Sequence, residues 1–402
     1  MEKDFQEQKD IIKRGTEELI PEKDFDALLK KSIDEDKPLR VKQGFDPTAP
    51  DIHLGHTVCL RKLKQFQELG HQVVLIIGDY TGMVGDPSDK SETRPRLTHE
   101  EVMANATTYE EQFFKVLDRD KTEIHYNGEW FAKMEFSEVM NLASKFTVAR
   151  MLERDDFSKR YSSEKPISIH EFFYPLMQGY DSVAIKADVE IGATEQKFNL
   201  LIARKIQEEF NVKPQSVLTM PVLPGTDGKM RMSKSAGNYI GIDESPKDIY
   251  GKTMSIPDEL IYQYFELVSD VSSKELTLIK NLLDSSDTNP MELKKQLGRD
   301  LVRLYHGEDA AEKAEAEFTN VFAKGDLPDD IPEVKAVDGE LIVDLMAANN
   351  ITSSKGEARR LIKQGAVRID GEKISEIDHK VVSGSELVLK AGKRRFLKIS
   401  VE

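Results

Sequence analysis

Two histidines three residues apart, His53 and His56, flank Leu54 and Gly55 in the stretch GFDPTAPDIHLGHTV, just behind a predicted strand and at the first turn of a predicted helix. Imidazoles at i and i+3 of a helix can face one ligand, and the helix start adds free backbone N–H groups and a positive dipole end. That combination suits an anion, and Gly55 lets a ligand approach the backbone closely. A nucleoside triphosphate is the natural occupant. As a metal site the pair is poor, because it supplies two ligands and no cysteine or third histidine stands nearby at suitable spacing. Two ordinary surface histidines are the competing explanation of this stretch taken alone.

A second stretch lies far downstream: GKMRMSKSAGNYIG, residues 228–241. Lys229, Arg231 and Lys234 interleave with Ser233 and Ser235 between Gly228 and Gly237, a composition suited to a mobile clamp on a polyphosphate. A solvated basic loop would read the same way by itself.

The elements that must position these residues follow from periodicity. PLRVKQGFDP predicts a strand and loop, HTVCLRKLKQFQELG a helix closed by Gly70, and QVVLIIG a strand buried on both faces. Strand, helix, strand is one right-handed crossover unit. The pattern recurs: a helix over ISIHEFFYPLMQGYD, strand and loop over VAIKADVEIGA, and a helix over TEQKFNLLIARKIQEEF with Thr194 as N-cap. Residues 1–243 therefore predict an α/β, doubly wound, Rossmann-like parallel-sheet domain. From 244 to 328 strands give way to helical periodicity, as in Leu293, Leu297, Leu301 and Leu304. Residues 329–338 are acidic and proline-bearing and read as a linker. Residues 339–402 predict a small α+β unit with a short basic helix, a turn at Gly365, a strand AVRID and a tight turn at Asp370 and Gly371.

Bulk properties narrow the function classes. At 402 residues the chain can bury more than one core. One cysteine, Cys59, excludes a disulfide framework and a cysteine-rich metal centre, and inert packing is the simpler reading of that thiol. The start MEKDFQEQKD has no apolar signal segment and no run of eighteen apolar residues occurs, so a cytoplasmic chain off the membrane is expected. The net charge of −15 argues against a nucleic-acid partner until its distribution is considered: residues 338–402 carry +2 and the preceding chain −17.

Taken together, HLGH and RMSKS resemble the HIGH and KMSKS signatures of class I aminoacyl-tRNA synthetases, in the same order and domain context. GFDPTAPDIHLGH, GDPS at 85–88, YPLMQGYDS with Tyr174, Gln178 and Asp181, and GATEQKFN sharpen the resemblance to the bacterial tyrosyl-tRNA synthetases. The tail is similar to an S4 RNA-binding domain, the likeness covers essentially the whole chain, and it implies a connective insertion around 110–165 in the first domain.

The resemblance implies that tyrosine and ATP give tyrosyl-adenylate and pyrophosphate, and that the acyl group then passes to the terminal ribose of tRNA(Tyr). The substrate carboxylate is the nucleophile, so catalysis would be positioning and charge stabilisation. Thr48 and His53 would meet the γ-phosphate, His56 the ribose or α-phosphate, and Arg231 and Lys234 would close over the triphosphate with Ser233 and Ser235. Gly44, Asp46, Gly55, Gly192 and Glu195 would line the ATP side. Asp86, Tyr174 and Gln178 would surround the tyrosine ammonium, Gln196 would touch the substrate, and Asp181 would accept from the phenol. Mg2+ is expected with the ATP phosphates, held by no protein cage. Lys355, Arg359, Arg360, Lys363 and Arg368, with GKRRFLK near the end, would hold tRNA backbone, and a homodimer is implied.

Four departures from the family pattern stand out. Lys42 occupies the place of a tyrosine that usually partners the phenol, Glu195 replaces a more frequent Asp, Ala193 a glycine, and Arg231 the first lysine of KMSKS. Competing functions are a tryptophanyl-type ligase, a small nucleotidyltransferase, and a noncatalytic RNA-binding protein derived from a synthetase. Against the last stand the intact His53, His56, Asp86 and Lys234. Trp130 and Phe131 read as packing, and His99, His125 and His170 as ordinary residues.

Overall fold

The computed structural model describes residues 4–47, 52–87, 98–285, 288–323, 331–382, 386–392 and 395–401. Thr48, Ser88, Lys393 and Arg394 lie outside the described residues. The chain divides into two compact units, Met1–Glu315 and Ala316–Glu402.

The first unit is built on a six-stranded sheet of β1 (Glu18–Ile20), β2 (Arg40–Phe45), β3 (Gln72–Ile77), β4 (Thr122–Tyr126), β5 (Val189–Ala193) and β6 (Ser216–Met220), in the order β1-β6-β5-β2-β3-β4. All neighbours are parallel except β1 on β6. Val73, Val74, Leu75, Ile76 and Ile77 are buried, as an apolar run covered on both faces requires. From β2 the chain turns to β3 on one side, while β5 leads to β6 on the other. The β2–β5 boundary is thus a switch point, where a crevice opens beyond the carboxyl ends of the strands.

The helix Leu54–Glu68 joins β2 to β3 and buries Val58, Leu60, Leu63 and Phe66. Its buried Lys62 donates to the carbonyls of Ile11, Ile12 and Arg14, so the helix Phe5–Lys13 is capped at its C-terminus by the helix that follows the histidines. Gly70 ends Leu54–Glu68 with φ +88°, a left-handed conformation that suits glycine.

Three sequence-based expectations change. Thr194 is not an N-cap: residues Thr194–Gln196 form a 3₁₀ turn, the helix begins at Lys197, and the Thr194 hydroxyl donates to the Met220 carbonyl at 3.0 Å. The stretch 110–165 is not wholly an insertion, because β4 within it pairs with β3; the added helices fall between Gly128 and Ser162. The linker reading of 329–338 fails at Glu333–Ala336, which forms β7 by pairing with the last strand of the chain.

Helices Pro246–Thr253, Ile261–Val268, Ser273–Asp284 and Pro290–His306 follow β6, and Leu293, Leu297 and Leu301 are buried on one face of the last. The second unit packs helices Ile342–Ala348 and Lys355–Lys363 with a sheet of β7, β8 (Val367–Ile369), β9 (Glu372–Lys373), β10 (Glu386–Ala391) and β11 (Arg395–Val401). The β8–β9 turn has positive φ at Asp370 and Gly371, the signature of a two-residue hairpin. Among the described residues no helix is long and apolar enough to cross a membrane.

Candidate active site

A cavity of about 250 Å³ opens at the switch point. Its wall gathers Gly44 and Asp46 from the end of β2, Gly55 and His56 from the following helix, Asp86, then Tyr174, Gln178 and Asp181 from the helix Phe173–Ala184, and Gly192 from β5 with Gln196 from the turn that follows it. Ten of the expected positions, drawn from five chain segments, therefore share one space. Tyr174, Gln178 and Asp181 reach it because spacings of four and three residues hold their side chains on one helix face.

The floor of the cavity is Asp181, which is buried and accepts from Trp130 Nε1 at 3.0 Å and Asn127 Nδ2 at 3.4 Å. Burial pushes its carboxyl up to about 7, although Lys42, Trp130 and Asn127 favour the charged form. Trp130 and Asn127 were not expected here. Trp130 does pack against Val74, Ile76, Ile185 and Ala187, yet its indole N–H is committed to the carboxylate. The only hint in the sequence is the tendency of a partly buried tryptophan to find an acceptor for its indole N–H.

Lys42, in the position of the missing tyrosine, does not reach for the floor carboxylate. Its ammonium is wholly buried and ion-paired with Glu190 at 2.9 Å. Further along the wall, Tyr174 Oη donates to Asp46 Oδ2 and Thr81 Oγ1 to Asp46 Oδ1, both at 2.8 Å, while Gln196 Nε2 donates to Asp86 Oδ2 at 2.6 Å. Burial and Asp46 together raise the Tyr174 phenol well above its usual range, so it stays a donor.

At the rim, His53 and His56 stack with ring centroids 3.9 Å apart. The His53 backbone N–H donates to His56 Nδ1 at 3.3 Å, which leaves His56 Nε2 as the ring's donor. Burial lowers His56 to about 4, with Lys234 and Arg231 adding to the effect; burial, then His56 and Lys234, lower His53 to about 2. Both rings are neutral at pH 7 and act as hydrogen-bonding groups rather than cations. A Cβ at Gly55 would press the His53 ring at 3.0 Å, so glycine is needed there for the stack as well as for ligand access.

The two signature segments are laced together although about 180 residues separate them. Leu54 N–H donates to the Ile240 carbonyl at 2.9 Å and Ile242 N–H to the Ile52 carbonyl at 3.2 Å, on either side of a bridge between His53 and Gly241. The basic loop folds back on itself: Gly225 N–H donates to the Met230 carbonyl and Met232 N–H to the Leu223 carbonyl. Buried Asn238 staples it, accepting from Ser233 N–H at 2.9 Å and donating to the Arg231 carbonyl at 3.1 Å. Sequence reasoning missed Asn238. Arg231 forms a salt bridge with Glu195 at 2.9 Å, so two of the departures from the family pattern meet each other. Lys234 lies 5.9 Å from the Tyr239 ring. Ser233 Oγ is 3.4 Å from Ser235 Oγ. His53, Glu195, Arg231, Ser233, Lys234 and Ser235 frame the rim without lining the cavity.

In the second unit Lys355, Arg359, Arg360, Lys363 and Arg368 are all exposed. Lys355 pairs with Asp344 at 3.0 Å, and Arg368 donates to the Gly371 carbonyl at 2.9 Å. Among the described residues no group of three or more His, Cys, Asp or Glu side chains is arranged to hold a metal ion.

Comparison with known proteins agrees with this geometry. The family model for class I tRNA synthetases (W and Y) matches residues 34–323, and the model for the tyrosine–tRNA ligase SYY-like C-terminal domain matches 324–399. The tyrosine–tRNA ligase of Moorella thermoacetica is 54% identical over 99% of this chain and 97% of its own length, and that of Syntrophotalea carbinolica is 53% identical over 99% and 98%. Among solved structures, a C-terminally truncated mitochondrial tyrosyl-tRNA synthetase of Aspergillus nidulans superposes with a TM-score of 0.65 at 21% identity, covering 79% of this chain and 97% of that one. The Archaeoglobus fulgidus tyrosyl-tRNA synthetase in complex with L-tyrosine gives 0.62 at 21% identity, covering 78% and 100%. On the matched models and the full-length identity, the chain belongs to the class I aminoacyl-tRNA synthetases, within the tyrosine–tRNA ligase family.

Proposed function

We infer that the chain activates L-tyrosine with ATP and joins it to tRNA(Tyr). Identity above 50% over nearly the full length of relatives named for that ligation supports the reaction. One observation carries the reading of the site: a cavity floored by a buried carboxylate runs up to a rim where the histidine turn and the basic loop are hydrogen-bonded side by side.

In this reading the tyrosine ring enters the cavity and its phenol donates to Asp181, while Asp86, Tyr174 and Gln178 surround the ammonium. The substrate carboxylate then faces the α-phosphate at the rim, and its attack expels pyrophosphate. No general base is required, because the nucleophile is already ionised. The work of the protein is alignment and stabilisation of charge on the leaving group. His53 and His56 serve as neutral donors, Thr48 joins them, and Lys234 and Arg231 bring the positive charge. For Arg231 this means exchanging Glu195 for phosphate, so adenylate formation would include a switch of ion-pair partner. Gly44, Asp46, Gly55, Gly192, Glu195 and Gln196 shape the nucleotide and substrate side, with Ser233 and Ser235 in the loop. Mg2+ accompanies the ATP phosphates as their counter-charge, and no residue of the chain is assigned to it.

We further place anticodon recognition in residues 244–328 and tRNA backbone contact in 339–402 through Lys355, Arg359, Arg360, Lys363 and Arg368. We propose a cytoplasmic homodimer. The exposure of the large apolar side chains Phe136, Met140, Val148, Tyr161 and Ile169, all between residues 136 and 169 of the first unit, supports that reading. Pyrophosphate exchange with ATP, run with each amino acid in turn and no tRNA, tests the chemistry. Exchange with tyrosine alone is expected; exchange with tryptophan would refute the pocket assignment, and no exchange would refute the catalytic one.

A further inference from the structure

We propose that the buried Lys42–Glu190 pair is a positioning device: it fixes which end of the Gln178 amide faces the substrate, and so makes this pocket select for an ammonium. The inference rests on the reading of Gln178 as an ammonium partner.

Lys42 spends all three ammonium donors: on the Gln178 main-chain carbonyl at 2.9 Å, Ser182 Oγ at 2.8 Å and Glu190 Oε1 at 2.9 Å. Glu190 Oε1 also accepts from Gln178 Nε2 at 3.1 Å, and its Oε2 accepts from Ser182 Oγ at 3.2 Å and from Gln215 Nε2. Lys42, Glu190, Ser182 and Gln215 are fully shielded from solvent. A buried ion pair of this kind contributes little net stability over an apolar replacement, so its value lies in what its geometry dictates.

What it dictates is the Gln178 side chain. A primary amide has a donor end and an acceptor end of nearly equal shape, and a neutral pocket would accept either orientation. A carboxylate accepts only, so Glu190 holds the NH₂ end. The other end, Oε1, is buried and has no hydrogen-bond partner among the described residues, on a side chain that lines the cavity. An unpaired carbonyl at this position calls for a donor, and the one strong donor at the backbone end of tyrosine is its ammonium. The flipped amide would present NH₂ instead, and would favour a carboxylate in the place where the ammonium belongs. Lys42 completes the device by neutralising Glu190 and by gripping the Gln178 main chain.

The test uses the full-length chain and the double variant Lys42→Met/Glu190→Gln, whose new amide can offer Gln178 either a donor or an acceptor. Tyrosine-dependent pyrophosphate exchange is inhibited with tyramine, which keeps the ammonium and lacks the carboxylate, and with 3-(4-hydroxyphenyl)propionate, which keeps the carboxylate and lacks the ammonium. The expected result is a rise of about ten- to hundred-fold in the KM for tyrosine and the Ki for tyramine. The Ki of the propionate and the KM for ATP should stay within about two-fold. Equal weakening of both analogues, or of neither, would overturn the positioning role. If the double variant does not fold, Lys42→Met/Glu190→Met removes both charges apolarly and is held to the same criterion. Gln178→Met separates the two levels: if tyramine binds it as tightly as the parent, the ammonium reading itself fails, whereas lost tyramine binding with an unaffected double variant defeats only the positioning role.

Discussion

Replacing Asp181 by Asn should stabilise the ligand-free protein at alkaline pH and leave it nearly unchanged at acid pH. The folded carboxyl titrates at about 7 against an ordinary value of 3.8, chiefly through burial. Between those values the folded chain holds a proton that the unfolded chain has released. Its stability therefore falls as pH rises through the window. At roughly 1.4 kcal/mol per pH unit, the full window is worth about 4 kcal/mol, present as a penalty above pH 7 and absent below pH 4. Asparagine keeps one acceptor for Trp130 or Asn127 and carries no charge to bury. The variant should be more stable than the parent by up to about 4 kcal/mol at pH 8.5, and within about 1 kcal/mol at pH 4.5. Trp130 is the sole tryptophan of the chain and donates to this carboxylate, so its fluorescence reports both the urea transition and the titration itself. A stability difference that does not change between pH 4.5 and 8.5, or a variant weaker than the parent at pH 8.5, would refute the reasoning. The same change should cost selectivity for tyrosine over phenylalanine, because the phenol then meets no carboxylate.

Three further outcomes can be checked. Lys234→Ala and His53→Ala should each lower the rate of adenylate formation by about 10²- to 10³-fold with little change in tyrosine KM; unchanged single-turnover rates would remove them from the leaving-group role. Gly78→Ala places a Cβ against the Asp46 carboxylate and the Thr81 hydroxyl, so tyrosine affinity measured by equilibrium dialysis should fall about ten- to hundred-fold, while unaltered affinity would show that this corner of the cavity can give way. Arg359→Glu/Arg360→Glu should weaken tRNA charging, flatten its salt dependence by about two phosphate contacts and spare pyrophosphate exchange; a defect in exchange would place these residues elsewhere in the mechanism.

The legible part of this chain was the part governed by local spacing. Periodicity gives the helix behind β2 and the buried strand β3, glycine signals give the ends at Gly70 and Gly371, and spacings of three and four place Tyr174, Gln178 and Asp181 on one face. What was not legible is set by partners distant in sequence. β7 carries only four residues and exists because β11 offers it a parallel edge about 60 residues later. Trp130 and Asn127 bond Asp181 across about 50 residues, and no local pattern announces that. The departure at Lys42 was visible as a letter, but its meaning required Glu190, nearly 150 positions away.

The chain's one cysteine has a practical consequence. Cys59 is buried behind the histidines, and burial with the nearby Glu195 pushes its thiol up to about 12. Maleimides react with the thiolate, which at pH 7 would be present in roughly one molecule in 10⁵. The thiol is therefore slow toward maleimides, and the cavity wall that it joins is where a substrate would cover it. A single cysteine placed on the exposed side of the basic loop would react faster than Cys59, and a dye carried there would test the exchange of Glu195 for phosphate proposed for Arg231.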